Sequence, residues 1–106
     1  PSSPEREAFD TAYEEQFGVP AGSLSPYTWN AYDSAASLIT AIKSVAFKGD
    51  NGNLYVPRAE LVQAVRNLEG FKGLTGTITC EEKGECNSTG PTFYVVRDGE
   101  WVVADD

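Results

Sequence analysis

The sequence predicts an α/β chain: three helices followed by about three β-strands, the last two forming a C-terminal hairpin. Three observations predict it. Phe9, Tyr13 and Phe17 recur at i, i+4 and i+8, which puts them on one face of a helix. Ser34 to Ile42 is an uncharged, mostly apolar run inside a longer helical pattern. Asp98-Gly99 stands between two runs of β-branched and aromatic residues, the signal of a two-residue hairpin turn.

The first helix has both ends marked. Ser3 is a good N-cap and Pro4 suits the first helical position, with Ser2 and Glu5 an alternative capping frame one residue earlier. Gly18 ends the helix and Pro20 prevents its return. A loop rich in Gly, Pro and Ser runs to Pro26. The second helix covers roughly Thr28 to Ala46. Its polar stripe is narrow (Asn30, Asp33, Ser37, Thr40, Ser44), and almost everything else on it is Ala, Leu, Ile, Val or Tyr. A helix apolar round most of its circumference needs cover on more than one side. Lys48 to Asn53 reads as a turn cluster. The third helix runs from about Pro57 to Glu69, with Leu61, Val62, Val65 and Leu68 on its buried side, and Gly70 closes it with Phe71 packing back. Leu74 to Cys80 reads as a strand with Gly76 inside it. Thr92 to Arg97 and Glu100 to Ala104 are the hairpin strands.

Composition narrows the function classes. With 106 residues the chain is one domain or part of one. Its 41% apolar and 11% aromatic content excludes a disordered tail. Sixteen acidic against eight basic residues give a net charge of −8, which argues against a nucleic-acid or anionic membrane partner. There is no His, so the commonest acid–base group and metal ligand is missing. There is also no Met; processing or a fragment would each account for that.

Cys80 and Cys86 enclose Glu-Glu-Lys-Gly-Glu. Two thiols and no imidazole cannot complete a zinc site, and a redox pair is more often spaced C-x-x-C. A small disulfide loop and two free thiols remain. The Lys83-Gly84 turn favours the bridge, which would contribute about 2 kcal/mol by loop entropy and imply an oxidising compartment. Asn87-Ser88-Thr89 is an N-glycosylation triplet, a pattern common by chance.

No phosphate-binding loop, dinucleotide fingerprint or nucleophile elbow is present, and no enzyme activity, cofactor or metal is expected. Glu14-Glu15 and Glu81-Glu82 cannot form sharing dyads, because neighbours on a helix or strand diverge. They read as solvated charge, as does the Asp105-Asp106 end. Tyr27 to Asp33 gathers Tyr27, Trp29, Tyr32, Asn30 and Asp33 at a helix N-terminus. Such a spot suits a small anionic or zwitterionic ligand. The alternative is that the aromatics are core and Asp33 meets the helix dipole.

These pieces together resemble a known family. They are Phe9-x3-Tyr13-x3-Phe17-Gly18-x-Pro20, Ala31-Tyr32-Asp33-Ser34-Ala35 opening a long apolar helix, Gly73-x2-Gly76-x-Ile78 before the Lys83-Gly84 turn, and Tyr94-x-Val96-x-Asp98-Gly99-x-Trp101-Val102. In order and spacing they resemble the C-terminal portion of type I periplasmic binding proteins, most nearly the branched-chain amino acid receptors of ABC transporters. The Cys-containing turn resembles a subset of that family. The resemblance implies a two-lobed receptor that closes on a small ligand, of which residues 1–106 are a partial domain: a helical part over 1–72 and a β part over 73–106 that crosses a hinge. It implies an ABC permease as partner, a periplasmic or extracellular location, and an amino acid or similar metabolite as ligand. Tyr32 matches the family's Tyr near the cleft, with Trp29 and Asp33 as neighbouring candidates.

A section cut from such a receptor has uncovered surfaces. Ala35, Leu38, Ile39, Ile42 and Val45 are expected to form an exposed apolar patch, and the isolated chain to self-associate. The competing expectation is a small secreted interaction module, stapled by Cys80–Cys86 and recognising protein through Trp29, Tyr32 and the hairpin.

Overall fold

Ser3 behaves as its sequence position requires. Its hydroxyl accepts the N–H of Arg6 at 3.2 Å and opens α1 (Pro4–Phe17). Gly18, at φ +72°, ends it in the left-handed conformation that glycine adopts without steric cost. The computed structural model describes residues 2–87 and 93–104. The second helix, α2, spans Thr28–Val45. A short antiparallel ladder follows, β1 (Phe47–Lys48) with β2 (Leu54–Tyr55), closed by the Gly- and Asn-rich turn. Phe47 and Tyr55 stack across it with ring centroids 5.5 Å apart. Then come α3 (Arg58–Arg66), β3 (Phe71–Gly73), β4 (Gly76–Ile78), β5 (Tyr94–Arg97) and β6 (Glu100–Val103).

The α/β class and the three helices match expectation. The strands differ in detail: among the described residues, six short strands form three separate antiparallel ladders, one of them between α2 and α3. Gly76 does not sit inside a strand. It starts β4 and pairs with Gly73 across a turn at Leu74 and Thr75. The third helix ends at Arg66, capped by Asn67, rather than at Glu69. The following backbone has other partners: Leu68 O accepts the Cys80 N–H at 2.7 Å, and the Gly70 N–H bonds Thr79 Oγ1. The C-terminal turn is as expected, with Asp98 and Gly99 both at positive φ, +53° and +84°. Thr92, Ser88, Thr89 and the Asp105-Asp106 end lie outside the described residues.

Among the described residues, α2 packs on α3 and on β3, and the β5–β6 hairpin packs on no other element. The radius of gyration is 17.9 Å, against about 13 Å for a compact domain of this length. The accessible surface is 8,236 Å², against about 5,800 Å² for a compact chain of this size. Among the described residues only Ala21, Ala41, Leu74 and Asp33 are buried. Ala35, Leu38 and Ile39 are exposed, while Ile42 and Val45 are half-buried. Val62, expected on the buried side of α3, is exposed. In the hairpin register Tyr94 faces Val103 and Val96 faces Trp101. All four share one face, and all four are exposed.

Candidate functional site

The N-terminal half of α2 separates the candidate residues. Trp29 turns toward α1. Its Nε1–H donates to Asp10 Oδ1 at 2.6 Å, and the Arg6 guanidinium lies 4.0 Å from the ring centroid. Gly22 leaves room for the indole; a Cβ there would come within 2.9 Å of it. Tyr32 lies against Phe9 at 4.9 Å between centroids and keeps about half of its surface exposed. Phe9, Tyr13 and Phe17 continue the aromatic row along α1. Of that stripe, Phe9 meets α2 through Tyr32, while Phe17 is exposed. Tyr27 is not core: it is 71% exposed and caps α2 with no side-chain bond.

Asp33 turns the other way. At 2% exposure it is the most deeply buried polar side chain described. One carboxylate oxygen accepts the Leu74 N–H at 2.7 Å; the other accepts the Thr75 N–H at 2.8 Å and the Thr75 hydroxyl at 2.7 Å. Three donors from one turn converge on this carboxylate, so its local role is to hold the β3–β4 turn on α2 rather than to meet the helix dipole. Gly73 is required beside it, because a Cβ there would lie 2.5 Å from a carboxylate oxygen.

A cleft of about 180 Å³ opens next to this anchor. Asn30, Ser34 and Ser37 of α2 line it together with the apolar Val65, Leu68 and Ile78 and with Cys80, Cys86 and Asn87. Ser34 and Ser37 donate their hydroxyl protons to carbonyls of α2, which leaves their oxygens able to accept. Asp33 and Thr75 reach the cleft but are already bonded to each other. Trp29 and Tyr32 are not part of it. Cys80 and Cys86 are joined as a disulfide, and the turn between them is closed by Glu81 N–H to Glu85 O and Gly84 N–H to Glu81 O. The Asn87 side chain binds back to the backbone at Thr77 and Thr79. The described residues contain no group of side chains suited to hold a metal ion, and no described helix is long and apolar enough to cross a membrane. The polar stripe that lines the cleft was visible in the sequence. The rest of the lining was not, because it comes from residues 65–87.

No protein-family model and no curated protein matches the sequence. Among solved structures, the crystal structure of a leucine-binding protein, LivK, from Thermotoga maritima matches with a TM-score of 0.67 and 22% identity. The alignment covers 98% of this chain and 26% of that one, so the chain spans about a quarter of that protein's length. At this identity the likeness is one of fold. Along almost its whole length, the chain has the fold of a section of that leucine-binding protein.

Proposed function

We propose that this chain is the C-terminal section of a two-lobed, type I substrate-binding protein that delivers an amino acid or related metabolite to an ABC permease and catalyses no reaction. One observation carries the reading. The fold matches a leucine-binding protein along almost the whole chain while covering only about a quarter of that protein, and the surfaces left bare are the ones a larger receptor would cover. They are the Leu38 and Ile39 face of α2 and the Tyr94, Val96, Trp101, Val103 face of the hairpin. In this reading α1, α2 and α3 belong to one lobe, the β3–β4 region leads out of it, and the hairpin belongs to the other. Tyr32, half exposed beside Phe9, is the side chain proposed to reach the ligand cleft, with Trp29 and Asp33 holding its surroundings in place. The location is periplasmic or extracellular, with a lipid anchor on the full-length protein as one form of it.

Thermal-shift screening of the two-lobed parent tests the reading. The panel is aliphatic and aromatic amino acids, amides and aromatic acids. A ligand at a hundredfold excess over its Kd stabilises the folded state by about 2.7 kcal/mol, a readable rise in Tm. Silence across the panel would remove amino acids as the ligand class.

A further inference from the structure

We propose that Asn51, followed by Gly52 in the β1–β2 turn, is a site of spontaneous deamidation, held in check by the Tyr55 hydroxyl and the short ladder beneath it. The asparagines are Asn30, Asn51, Asn53, Asn67 and Asn87, and of these Asn51 alone precedes a glycine. Deamidation begins when the next residue's backbone nitrogen attacks the asparagine side chain, so a bulky next residue hinders it most. Here that residue has no Cβ, and nothing lies within 4 Å of where one would stand. Asn51 is exposed, so water reaches the ring that forms.

Three hydrogen bonds oppose the attack. Asn51 Nδ2 donates to the Tyr55 hydroxyl at 2.8 Å, and Oδ1 accepts the Asn53 N–H at 3.0 Å, so both ends of the amide are tied. The attacking nitrogen itself donates to Gly49 O at 2.9 Å, a bond it gives up when it loses its proton. Beneath the turn the support is thin. Phe47 pairs with Tyr55 and Lys48 with Leu54, and Gly49 N–H donates to Asn53 O beyond them. This ladder packs on no other described element. A two-stranded ladder alone is marginal in water, so it opens locally at low cost and frees Asn51 without unfolding the helices.

The chemistry needs only water. The Gly52 N–H gives its proton to solvent base, and its nitrogen bonds to Cγ of Asn51. The Cγ–Nδ2 bond breaks and ammonia leaves with a proton, closing a cyclic imide. Water then opens the ring. Attack at Cγ gives aspartate; attack at the Asn51 carbonyl carbon gives isoaspartate, whose main chain runs through Cγ. No atom is oxidised or reduced. Either product adds a negative charge beside Asp50 to a chain already at −8. Isoaspartate also lengthens the main chain of the turn, which breaks the register of Asn53 with Gly49.

Incubation of the intact chain at neutral pH, with its peptides mapped by mass spectrometry, tests this. Asn51 should be the first asparagine converted to a carboxyl, with ammonia released in equal amount. Its rate should be about tenfold below that of the same chain unfolded in guanidinium chloride, because the ladder is mostly closed. Tyr55→Phe keeps the aromatic ring and frees Nδ2; it should raise the folded-state rate about fivefold, the factor one hydrogen bond is worth. In guanidinium chloride the two chains should react alike. Another asparagine reacting first overturns the site. Equal rates in the folded and unfolded chain, or a Tyr55→Phe rate equal to wild type, overturn the restraint assigned to the ladder and Tyr55.

Discussion

The carboxylate of Asp33 accepts the backbone N–H of Leu74 at 2.7 Å across 41 positions of sequence. With the two bonds from Thr75, this fixes where the β3–β4 turn sits on α2. Removing the carboxylate strands two backbone donors in a buried site, so Asp33→Ala should cost about 3 kcal/mol or more. Asp33→Asn keeps an acceptor and should cost less. Urea denaturation followed by far-UV circular dichroism measures both.

Gly73 is coupled to that anchor. Gly73→Ala puts a methyl group against the Asp33 oxygens and should cost about 1–3 kcal/mol. In an Asp33→Ala background the methyl has room, and the same change should cost under about 1 kcal/mol. Equal costs in the two backgrounds would mean that the turn is held by something else.

The second seam is built on Trp29. Asp10→Ala removes the acceptor of its indole N–H and should cost about 1 kcal/mol; Arg6→Ala removes the cation over the ring and should cost about 0.5–1 kcal/mol. With Trp101→Phe as background, Trp29 is the single tryptophan and can be excited selectively at wavelengths where tyrosine does not absorb. Its emission should move to longer wavelength in both variants as α1 loosens from α2. An unmoved spectrum would show that these contacts do not dock the helix.

How much of this was legible follows from how local each cause is. Ser3, Pro4 and Gly18 bound α1 through bonds within one turn, and Asp98-Gly99 defines its own hairpin, so both could be read directly. The turn has Leu74 and Thr75 at its two central positions, with no Gly, Pro, Asn or Asp between the paired Gly73 and Gly76. Its shape comes from a carboxylate on α2, and so the segment read as one strand. Ladders of two residues, such as Phe47–Lys48 with Leu54–Tyr55, are too short to show any periodicity. In the candidate site, the aromatic cluster at Trp29 and Tyr32 was visible, but its partners Arg6, Phe9 and Asp10 sit on another helix. Asp33 looked like a helix-dipole or ligand group because its donors lie about 40 positions away.

The hairpin turn gives a local test. Gly99 at φ +84° tolerates no β-branched side chain without strain. Gly99→Val should therefore abolish the cross-strand nuclear Overhauser contacts between Tyr94 and Val103 and between Val96 and Trp101. Because the hairpin packs on no other described element, the unfolding free energy of the helices in urea should stay within about 0.5 kcal/mol of wild type.

Exposed apolar faces also predict association of the isolated chain. Sedimentation velocity should show a weight-average mass that rises with protein concentration. Each copy carries a charge of −8, so added salt should strengthen association by screening repulsion. Ile39→Lys with Trp101→Lys should return the chain to monomer. A monomer at every concentration and salt level would contradict this.

Amide hydrogen exchange across Tyr94 to Val103, compared between the isolated chain diluted to monomer and the two-lobed parent, probes the hairpin's missing cover most directly. Exchange in the isolated chain should be at least a hundredfold faster, since a lone two-stranded ladder is marginal in water. Equal, strong protection in both would mean that the 106 residues shield their own hairpin and need no second lobe.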